Sequence, residues 1–196
     1  MTAEIDVLQQ WIKPGSRVLD LGCGDGRLLQ TLSQQLGVEG YGLEIDPLKI
    51  NLCIERGINV IEQDLDQGLQ NFATDSFDTV IMTQTLQAVH FPHLVLEEML
   101  RVGKQGIITF PNFAHWRCRV YLSLRGRMPV SRFMPYTWYD TPNIHFCTVD
   151  DFEQLCADKN IQIMQRSIVD EQNRTSTLVR TFPNMFGLTA RYHISR

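Results

Sequence analysis

The sequence predicts an open α/β fold with a mainly parallel sheet. Two observations indicate this class: short apolar runs typical of strands alternate with segments whose apolar residues recur at helical spacing, and glycine or proline separates the two. Strands that alternate with helices form parallel sheets, because each helix returns the chain to the edge where the next strand begins. Ligands of such sheets bind beyond the carboxyl ends of the strands.

The first part of the chain is predicted to contain three strands and three helices. The strands are "RVLDL" (17–21), "VEGYGLEI" (38–45) and "INVIEQD" (58–64). The helices are 5–12, 27–36 and 46–57. The second helix carries leucines at helical spacing, and the third begins with Asp46 as its N-cap and Pro47 at its first position. A short polar helix or turn is expected before Phe72.

The remaining strands are predicted at 76–85, 104–110, 161–169 and 188–196, with helices at 91–103 and 148–160. Thr148 and Asp151 form an acidic variant of the capping box at the start of the last of these helices. Residues 170–187 read as a polar loop. Because no helix separates the final two strands, the last strand is predicted to be antiparallel, and its alternating pattern predicts partial exposure.

Composition excludes several functional classes. The 196 residues, 43% of them hydrophobic and 20% charged, fit one globular domain. The net charge of −4 argues against a general nucleic-acid binder, and the sequence shows no signal peptide and no apolar run that would span a membrane. Five scattered cysteines without a C-x-x-C pair predict free thiols, a cytoplasmic location and no zinc site.

The stretch "DLGCGDG" places Gly22, Gly24 and Gly26 directly after the first strand. The dinucleotide fingerprint G-x-G-x-x-G would put its third glycine at position 27, where the chain has Arg27. Asp20 adds a carboxylate that would repel a pyrophosphate but attract an ammonium or sulfonium group. The loop therefore favours a cationic nucleoside without phosphate, and S-adenosylmethionine fits that description.

Two acids end the next strands. Glu44 follows Gly24 by 20 residues and is predicted to accept hydrogen bonds from both ribose hydroxyls. Asp64 ends the third strand, where it would accept a hydrogen bond from the adenine amino group. Either residue has an alternative role in a turn or a cap, and that role is the one favoured for Asp25 and Asp46.

The segments "VLDLGCGDG", "YGLEID", "VIEQDLD" and "SFDTVIMTQTLQAV" resemble successive motifs of class I S-adenosylmethionine-dependent methyltransferases, over about residues 16–110. The resemblance implies a Rossmann-like seven-stranded sheet with an antiparallel last strand. It also implies contacts of Asp20, Gly22 and Gly24 with the methionyl part, of Glu44 with the ribose, of Asp64 and Leu65 with the adenine, and of Thr83 and Gln84 with cofactor or substrate. The cofactor-binding residues expected on this basis are Asp20, Gly22, Cys23, Gly24, Glu44, Ile45, Asp64, Leu65 and Thr83.

A narrower resemblance covers nearly the whole chain. "LQAVHFP", "FPNFAHWRCRVYL", "GRMPV" and "YTWYDTPNIHFCTVDDFEQLC" are similar to the methionine biosynthesis protein MetW family. That family is associated with methionine synthesis from homoserine, beside a homoserine O-acyltransferase. The resemblance implies a homoserine O-acyltransferase as partner. We expect a single methyltransferase-like domain over 1–196, with a cap or insertion at 111–147.

The 111–147 segment departs from the strand–helix alternation. It contains eight of the chain's 18 aromatic residues, five arginines and a single acid, Asp140. The aromatic residues are Phe113, Trp116, Tyr121, Phe133, Tyr136, Trp138, Tyr139 and Phe146. The arginines are Arg117, Arg119, Arg125, Arg127 and Arg132. The segment is predicted to cover the cofactor or to meet a partner; a purely structural cap is the alternative.

Methyl transfer requires a base only when the nucleophile must lose a proton. The candidates are His90, His115 and His145, and no relay of nucleophile, base and acid is recognisable. Two hypotheses therefore remain open: a methyltransferase acting on a small molecule or a protein, and an accessory subunit of an acyltransferase in methionine synthesis.

Overall fold

The computed structural model describes residues 2–131 and 134–196, so Arg132 and Phe133 of the 111–147 segment lie outside the described residues. The strands are β1 (Arg17–Leu21), β2 (Glu39–Glu44), β3 (Asn59–Glu62), β4 (Phe77–Thr83), β5 (Gly103–Pro111), β6 (Gln162–Val169) and β7 (Thr189–Ser195). The α-helices are α1 (Thr2–Gln9), α2 (Arg27–Leu36), α3 (Pro47–Glu55), α4 (Pro92–Val102), α5 (Trp116–Arg125), α6 (Val149–Asp158), α7 (Thr177–Thr181) and α8 (Pro183–Phe186). A 3-10 helix covers Leu65–Gln67.

The seven strands form one sheet in the order β3-β2-β1-β4-β5-β7-β6. All pairs from β3 to β5 are parallel, whereas β7 runs antiparallel to both of its neighbours. The predicted class is therefore confirmed: an α/β fold with a mainly parallel seven-stranded sheet and an antiparallel last strand.

Helices cover both faces of this sheet. One core cluster joins α1, α2 and α3 to the sheet through residues such as Leu8, Leu29 and Cys53. The other joins α4 and α6 to it through residues such as Met99 and Phe152. Because both faces are covered, the carboxyl edge of the parallel strands is the place left for a ligand.

The last strand is less exposed than its alternating pattern predicts: Thr189, His193 and Ser195 are half-buried, and its other residues are buried. Strand β7 lies inside the sheet, between β5 and β6, and Tyr192 at its centre is completely buried. The Tyr192 ring stacks on Phe110 and packs against Phe152. Even Arg191, on the opposite face, is only 1% exposed, and it donates a hydrogen bond to the side chain of Asn173. The exposed edge strand is β6 instead.

Two segments that the sequence left without regular structure contain helices. Helix α5 begins after His115 within the 111–147 segment, and Cys118 is its one buried residue. A helix that buries a single side chain has no apolar stripe, so periodicity did not reveal it. The polar loop predicted over 170–187 contains α7, capped by the Ser176 hydroxyl, and α8, which begins at Pro183.

Helix α1 ends three residues earlier than predicted. Residues 10–12 continue as turns in which each amide bonds to the carbonyl three residues before it. Leu8 and Ile12 are nevertheless buried together, so the apolar spacing was correct although the helix boundary was not. None of the helices within 2–131 and 134–196 combines the length and apolar character that a membrane span requires.

Candidate functional site

Two cavities meet at the carboxyl edge of the sheet, and Gly22 and Gln84 line both of them. The cavity of about 470 Å³, here the β2–β3 cavity, is also lined by Glu44, Ile45, Asp64 and Leu65. The cavity of about 390 Å³, here the β1–β4 cavity, is also lined by Cys23, Gly24 and Thr83. The structure thus brings eight of the nine expected cofactor residues to these cavities, and the ninth, Asp20, is buried beside them.

The glycine loop after β1 has a backbone that side chains would disturb. Gly22, Gly24 and Gly26 all have φ between 59° and 76°, in the left-handed region that favours glycine. A Cβ on Gly22 would lie 2.7 Å from the Thr85 hydroxyl, whereas a Cβ on Gly24 would meet no atom within 4 Å. Gly22 therefore permits close packing against the loop after β4, and Gly24 leaves space open in the β1–β4 cavity.

Glu44 holds this loop against the end of β2. Its carboxylate is 6% exposed and accepts hydrogen bonds from the amides of Gly24 (2.9 Å), Ile45 (2.9 Å) and Asp46 (3.1 Å). The Lys49 ammonium lies 4.0 Å from Oε2. Because a carboxylate has about four acceptor positions, the three amides leave room at Oε2 for one further donor. The anchoring of Gly24 was not predicted from the sequence.

Asp20 is a buried carboxylate without a donor. It is 1% exposed, and neither oxygen has a hydrogen-bond partner among the described residues. Burial, together with the negative charge of Glu44, raises the pKa of Asp20 from 3.8 to about 7. A cationic group bound beside the loop would compensate the Asp20 charge, so this environment fits a ligand that carries an ammonium or a sulfonium.

The raised pKa makes Asp20 a source of pH-dependent stability. Between pH 3.8 and about 7 the folded chain binds a proton that the unfolded chain has lost, so unfolding becomes easier as the pH rises through this range. Asn cannot ionise, so Asp20→Asn should lack this loss of stability. We expect the free energy of unfolding of the variant, minus that of the parent, to rise by roughly 2–3 kcal/mol from pH 5 to pH 8. Urea unfolding of both proteins at the two pH values measures this difference, and a constant difference would contradict the assignment.

Asp64 combines a capping role with a place in the β2–β3 cavity. Its Oδ1 accepts the Asp66 amide at 3.0 Å and so caps the 3-10 helix. Its Oδ2 accepts no hydrogen bond from the described residues. Leu65 is buried in the cavity wall, whereas Ile45 is exposed at the rim. The cavity therefore combines a free acceptor on Asp64 with the apolar side chains of Ile45 and Leu65, an arrangement suited to a flat base.

Asp46 and Asp25 have the cap and turn roles that the sequence predicts for them. Asp46 caps α3 by accepting the Leu48 amide at 2.9 Å. Asp25 forms ion pairs with Arg27 at 2.7 Å and Arg56 at 3.3 Å. Both are structural residues of the turns that carry the site.

Of the three candidate histidines, His90 is the one that lines either the β2–β3 or the β1–β4 cavity. Its Nδ1 lies 2.6 Å from Asp66 Oδ2, at the rim of the β2–β3 cavity. His115 caps α5 by accepting the Arg117 amide, burial lowers its pKa, and it lines a separate cavity of about 220 Å³. His145 lines a further cavity, between α4 and α6. The geometry does not place His115 or His145 in the cavities that Gly22 and Gln84 share.

The end of the 111–147 segment reaches the site. Pro142 and Asn143 line the β2–β3 cavity, and the amides of Ile144 and His145 both donate to the carbonyl of Gln87. Gln87 in turn donates through its side chain to the carbonyl of Gln84. No short-range pattern signals these contacts, because the participating residues are far apart in the sequence.

Comparison with known proteins agrees with this geometry. The model of the family "Methionine biosynthesis protein MetW" matches residues 2–194. The chain is 40% identical over 161 residues to the bifunctional methionine biosynthesis protein MetXA/MetW of Rhodopirellula baltica, which covers 78% of the chain and 26% of that protein. It is 28% identical to a ubiquinone biosynthesis O-methyltransferase of Erwinia tasmaniensis, over 64% of the chain and 54% of that protein. The chain thus spans about a quarter to a half of these relatives.

Solved structures share the fold. A S-adenosylmethionine-dependent methyltransferase of Mesorhizobium loti has a TM-score of 0.72 at 16% identity, covering 99% of this chain and 98% of its own. Another such methyltransferase, from Archaeoglobus fulgidus, has a TM-score of 0.71 at 15% identity, covering 99% and 92%. At these identities the likeness establishes the Rossmann-like methyltransferase fold.

Proposed function

Because the chain belongs to the MetW family of methionine biosynthesis proteins, we propose that it binds S-adenosylmethionine and acts together with a homoserine O-acyltransferase. The observation that carries the cofactor assignment is Asp20, a buried carboxylate without a donor, placed beneath a glycine loop. A phosphate-bearing dinucleotide would add negative charge beside it. A ligand that carries an ammonium and a sulfonium supplies the missing positive charge.

In this proposal the ligand spans both cavities. The adenosine part occupies the β2–β3 cavity, with the adenine against Ile45 and Leu65 near Asp64. One ribose hydroxyl donates to the free acceptor position of Glu44, rather than both hydroxyls. The methionyl part follows the glycine loop, past Gly22, into the β1–β4 cavity. Bound S-adenosylmethionine supplies an activated methyl group there, and the residues of the chain hold and orient it.

The β1–β4 cavity favours an accessory role over independent catalysis. Its titratable lining side chains, among the described residues, are Cys23, Asp25 and Arg27. Asp25 is held in ion pairs with two arginines, and burial raises the pKa of the Cys23 thiol. Neither group is suited to take a proton from a methyl acceptor at neutral pH. The described lining of this cavity is therefore suited to holding the cofactor, and a methyl acceptor that must lose a proton there is disfavoured.

Helix α5 provides a surface for the partner. We define the α5 face as Val120, Tyr121 and Leu124, which helical spacing places on one side of α5 and which are all exposed; Leu124 is 80% exposed. Apolar and aromatic residues together with arginine are typical of interface cores, and Arg125 lies one turn from Tyr121 on the same side of the helix. The Rhodopirellula relative, whose name pairs MetXA with MetW on one polypeptide, supports a partner that stays close to this domain.

Reconstitution with purified homoserine O-acyltransferase tests the proposal. We expect the rate of homoserine acylation to change when this protein is added, and the change to depend on the concentration of S-adenosylmethionine. The same assay without the protein controls for direct effects of the cofactor on the acyltransferase. Acylation rates that are identical with and without the protein, at every cofactor concentration, would reject the accessory role.

The double variant Val120→Ser with Leu124→Ser tests the α5 face. It removes exposed apolar side chains that make no core contact, so the fold and the cofactor affinity should persist. We expect acyltransferase capture to weaken at least about tenfold, as for the loss of interface hot-spot residues. Leu48→Ser, at a position that is 74% exposed on α3, is the matched control and should bind normally. Equal capture by all three proteins would place the partner elsewhere.

A methyltransferase acting on its own acceptor is the second candidate. The relatives named as ubiquinone biosynthesis O-methyltransferases favour it, because the chain is 28–29% identical to them over 50–64% of its length. Incubation with S-adenosylmethionine carrying a radiolabelled methyl group distinguishes the two functions. Label transferred to the acyltransferase, or to a homoserine-derived small molecule, would support the methyltransferase.

A further inference from the structure

Two buried thiols join the glycine loop to α3. Cys23 stands between Gly22 and Gly24 in the loop, and Cys53 lies in α3. Their sulfur atoms are 3.8 Å apart, and the Cys53 thiol also donates a hydrogen bond to the Gly24 carbonyl at 3.2 Å. The two residues are 7% and 0% exposed. No other contact of this loop brings two oxidisable groups together among the described residues.

We propose that Cys23 and Cys53 form an oxidisable pair, and that the disulfide between them lowers the affinity of the glycine loop for its cofactor. The second part rests on the proposed binding of S-adenosylmethionine. An S–S bond is about 2.05 Å long, so the sulfur atoms must approach each other by almost 2 Å. Sulfur atoms already in van der Waals contact need only local movement of the loop and α3 to close this gap.

The surroundings of Cys23 transmit that movement to the cofactor site. A Cβ on Gly42 would lie 2.4 Å from the Cys23 sulfur, so this side chain is packed tightly against β2. Closing the gap to Cys53 draws the Cys23 sulfur away from this packing position and pulls on the loop backbone on either side. Oxidation also removes the S–H group that Cys53 donates to the Gly24 carbonyl. Both changes displace the backbone of Gly22 and Gly24, which line the two cavities.

The reaction needs a two-electron oxidant, and we assign a peroxide. One cysteine, as its thiolate, attacks a peroxide oxygen; an S–O bond forms, the O–O bond breaks, and hydroxide leaves. The second thiolate then attacks the sulfenic sulfur, forming the S–S bond and expelling a second hydroxide. Two thiols and one hydrogen peroxide thus give one disulfide and two waters. Burial raises the pKa of both thiols, so the pair should respond to sustained rather than brief oxidation.

Mass spectrometry and cofactor titration test the two parts separately. The intact protein is treated with hydrogen peroxide, digested under non-reducing conditions and searched for the peptide that links Cys23 to Cys53. Calorimetric titration with S-adenosylmethionine follows on the reduced, the oxidised and the re-reduced protein. Cys53→Ser is the matched variant, since its hydroxyl can still donate to the Gly24 carbonyl but cannot form a disulfide. Cys156→Ser, in α6, controls for removal of a thiol elsewhere.

We expect the Cys23–Cys53 link, a cofactor affinity at least about tenfold lower in the oxidised protein, and full recovery after treatment with a dithiol reductant. Cys53→Ser should bind alike before and after peroxide, whereas Cys156→Ser should respond like the parent. By thermodynamic linkage, bound S-adenosylmethionine should also shift the equilibrium between the two thiols and the disulfide toward the thiols. Absence of the linked peptide would overturn the proposal, and so would an equal loss of affinity in Cys53→Ser. If the reduced protein does not bind S-adenosylmethionine, the proposed function fails, while the link itself remains measurable.

Discussion

Replacing Gly24 with valine is expected to abolish binding of S-adenosylmethionine while the protein remains folded. The Cβ would project into open space, since no atom lies within 4 Å of its position, and that space belongs to the β1–β4 cavity. The fold therefore has room for the side chain, but the methionyl part of the cofactor does not. The φ of +59° adds strain of about 1–2 kcal/mol for a residue with a side chain. Calorimetric titration should show affinity lowered more than about 100-fold.

Gly57→Val separates the strain from the blocked cavity. Gly57 also has a positive φ, 72°, and a Cβ there would likewise meet no atom within 4 Å, but the residue lies outside both cavities. We expect this variant to lose similar stability and to bind S-adenosylmethionine normally. Thermal unfolding and calorimetry on both variants make the comparison. Tight binding by Gly24→Val would show that the ligand does not pass this loop.

Glu44→Ala is expected to lower the affinity for S-adenosylmethionine roughly 10- to 100-fold. Hydrogen bonds to charged groups contribute about 1.5–3 kcal/mol, which corresponds to that range. The substitution removes the acceptor proposed for the ribose and also releases the amide of Gly24, which the carboxylate holds at 2.9 Å. Calorimetry measures the total loss of affinity. Because the lost ribose acceptor and the released Gly24 amide both weaken binding of the same ligand, a second test must separate them.

A 2′-deoxy or 3′-deoxy analogue of the cofactor provides that test. If Glu44 accepts a ribose hydroxyl, the analogue lacking this hydroxyl should bind the parent more weakly but should lose less affinity on substitution of Glu44. Glu44→Gln is the conservative control, because it keeps a carbonyl oxygen near Gly24. Unchanged affinity in Glu44→Ala would reject both roles. If Glu44→Ala lowers the affinity equally for the cofactor and for both analogues, Glu44 acts only by anchoring the glycine loop.

Most of the fold was predictable because its elements carry strong local patterns. Strands β1 and β4 are apolar runs buried on both sides, and α2 shows a regular leucine stripe. The elements that were missed, or predicted to be more exposed than they are, lack such local patterns. Helix α5 buries only Cys118, and β7 interleaves polar residues such as Arg191 and His193 with its buried apolar ones. A pattern read along the chain records side-chain type, whereas tertiary neighbours decide burial.

In the candidate site, too, some features were predictable from local sequence and others were not. The glycine loop and the position of Glu44 were predictable because they depend on spacing within one strand–helix unit. The anchoring of Gly24 by Glu44 was not, since a capping carboxylate and a ribose-binding carboxylate look identical in sequence. The approach of Pro142 and Asn143 to the β2–β3 cavity was also hidden, because it depends on how a distant segment packs.

The interior position of β7 has a consequence for how the sheet assembles. Strand β6 pairs with β7 and with no other described strand, although it precedes β7 in the sequence. It therefore cannot join the sheet until β7 has paired with β5, for example through Gly106 opposite Ile194. The parallel strands β1–β5 form through contacts closer in sequence, and loop closure over such separations costs less entropy. A substitution that breaks the β5–β7 pairing should thus release β6 and β7 together, whereas the parallel strands that carry the glycine loop and Glu44 keep their own pairings.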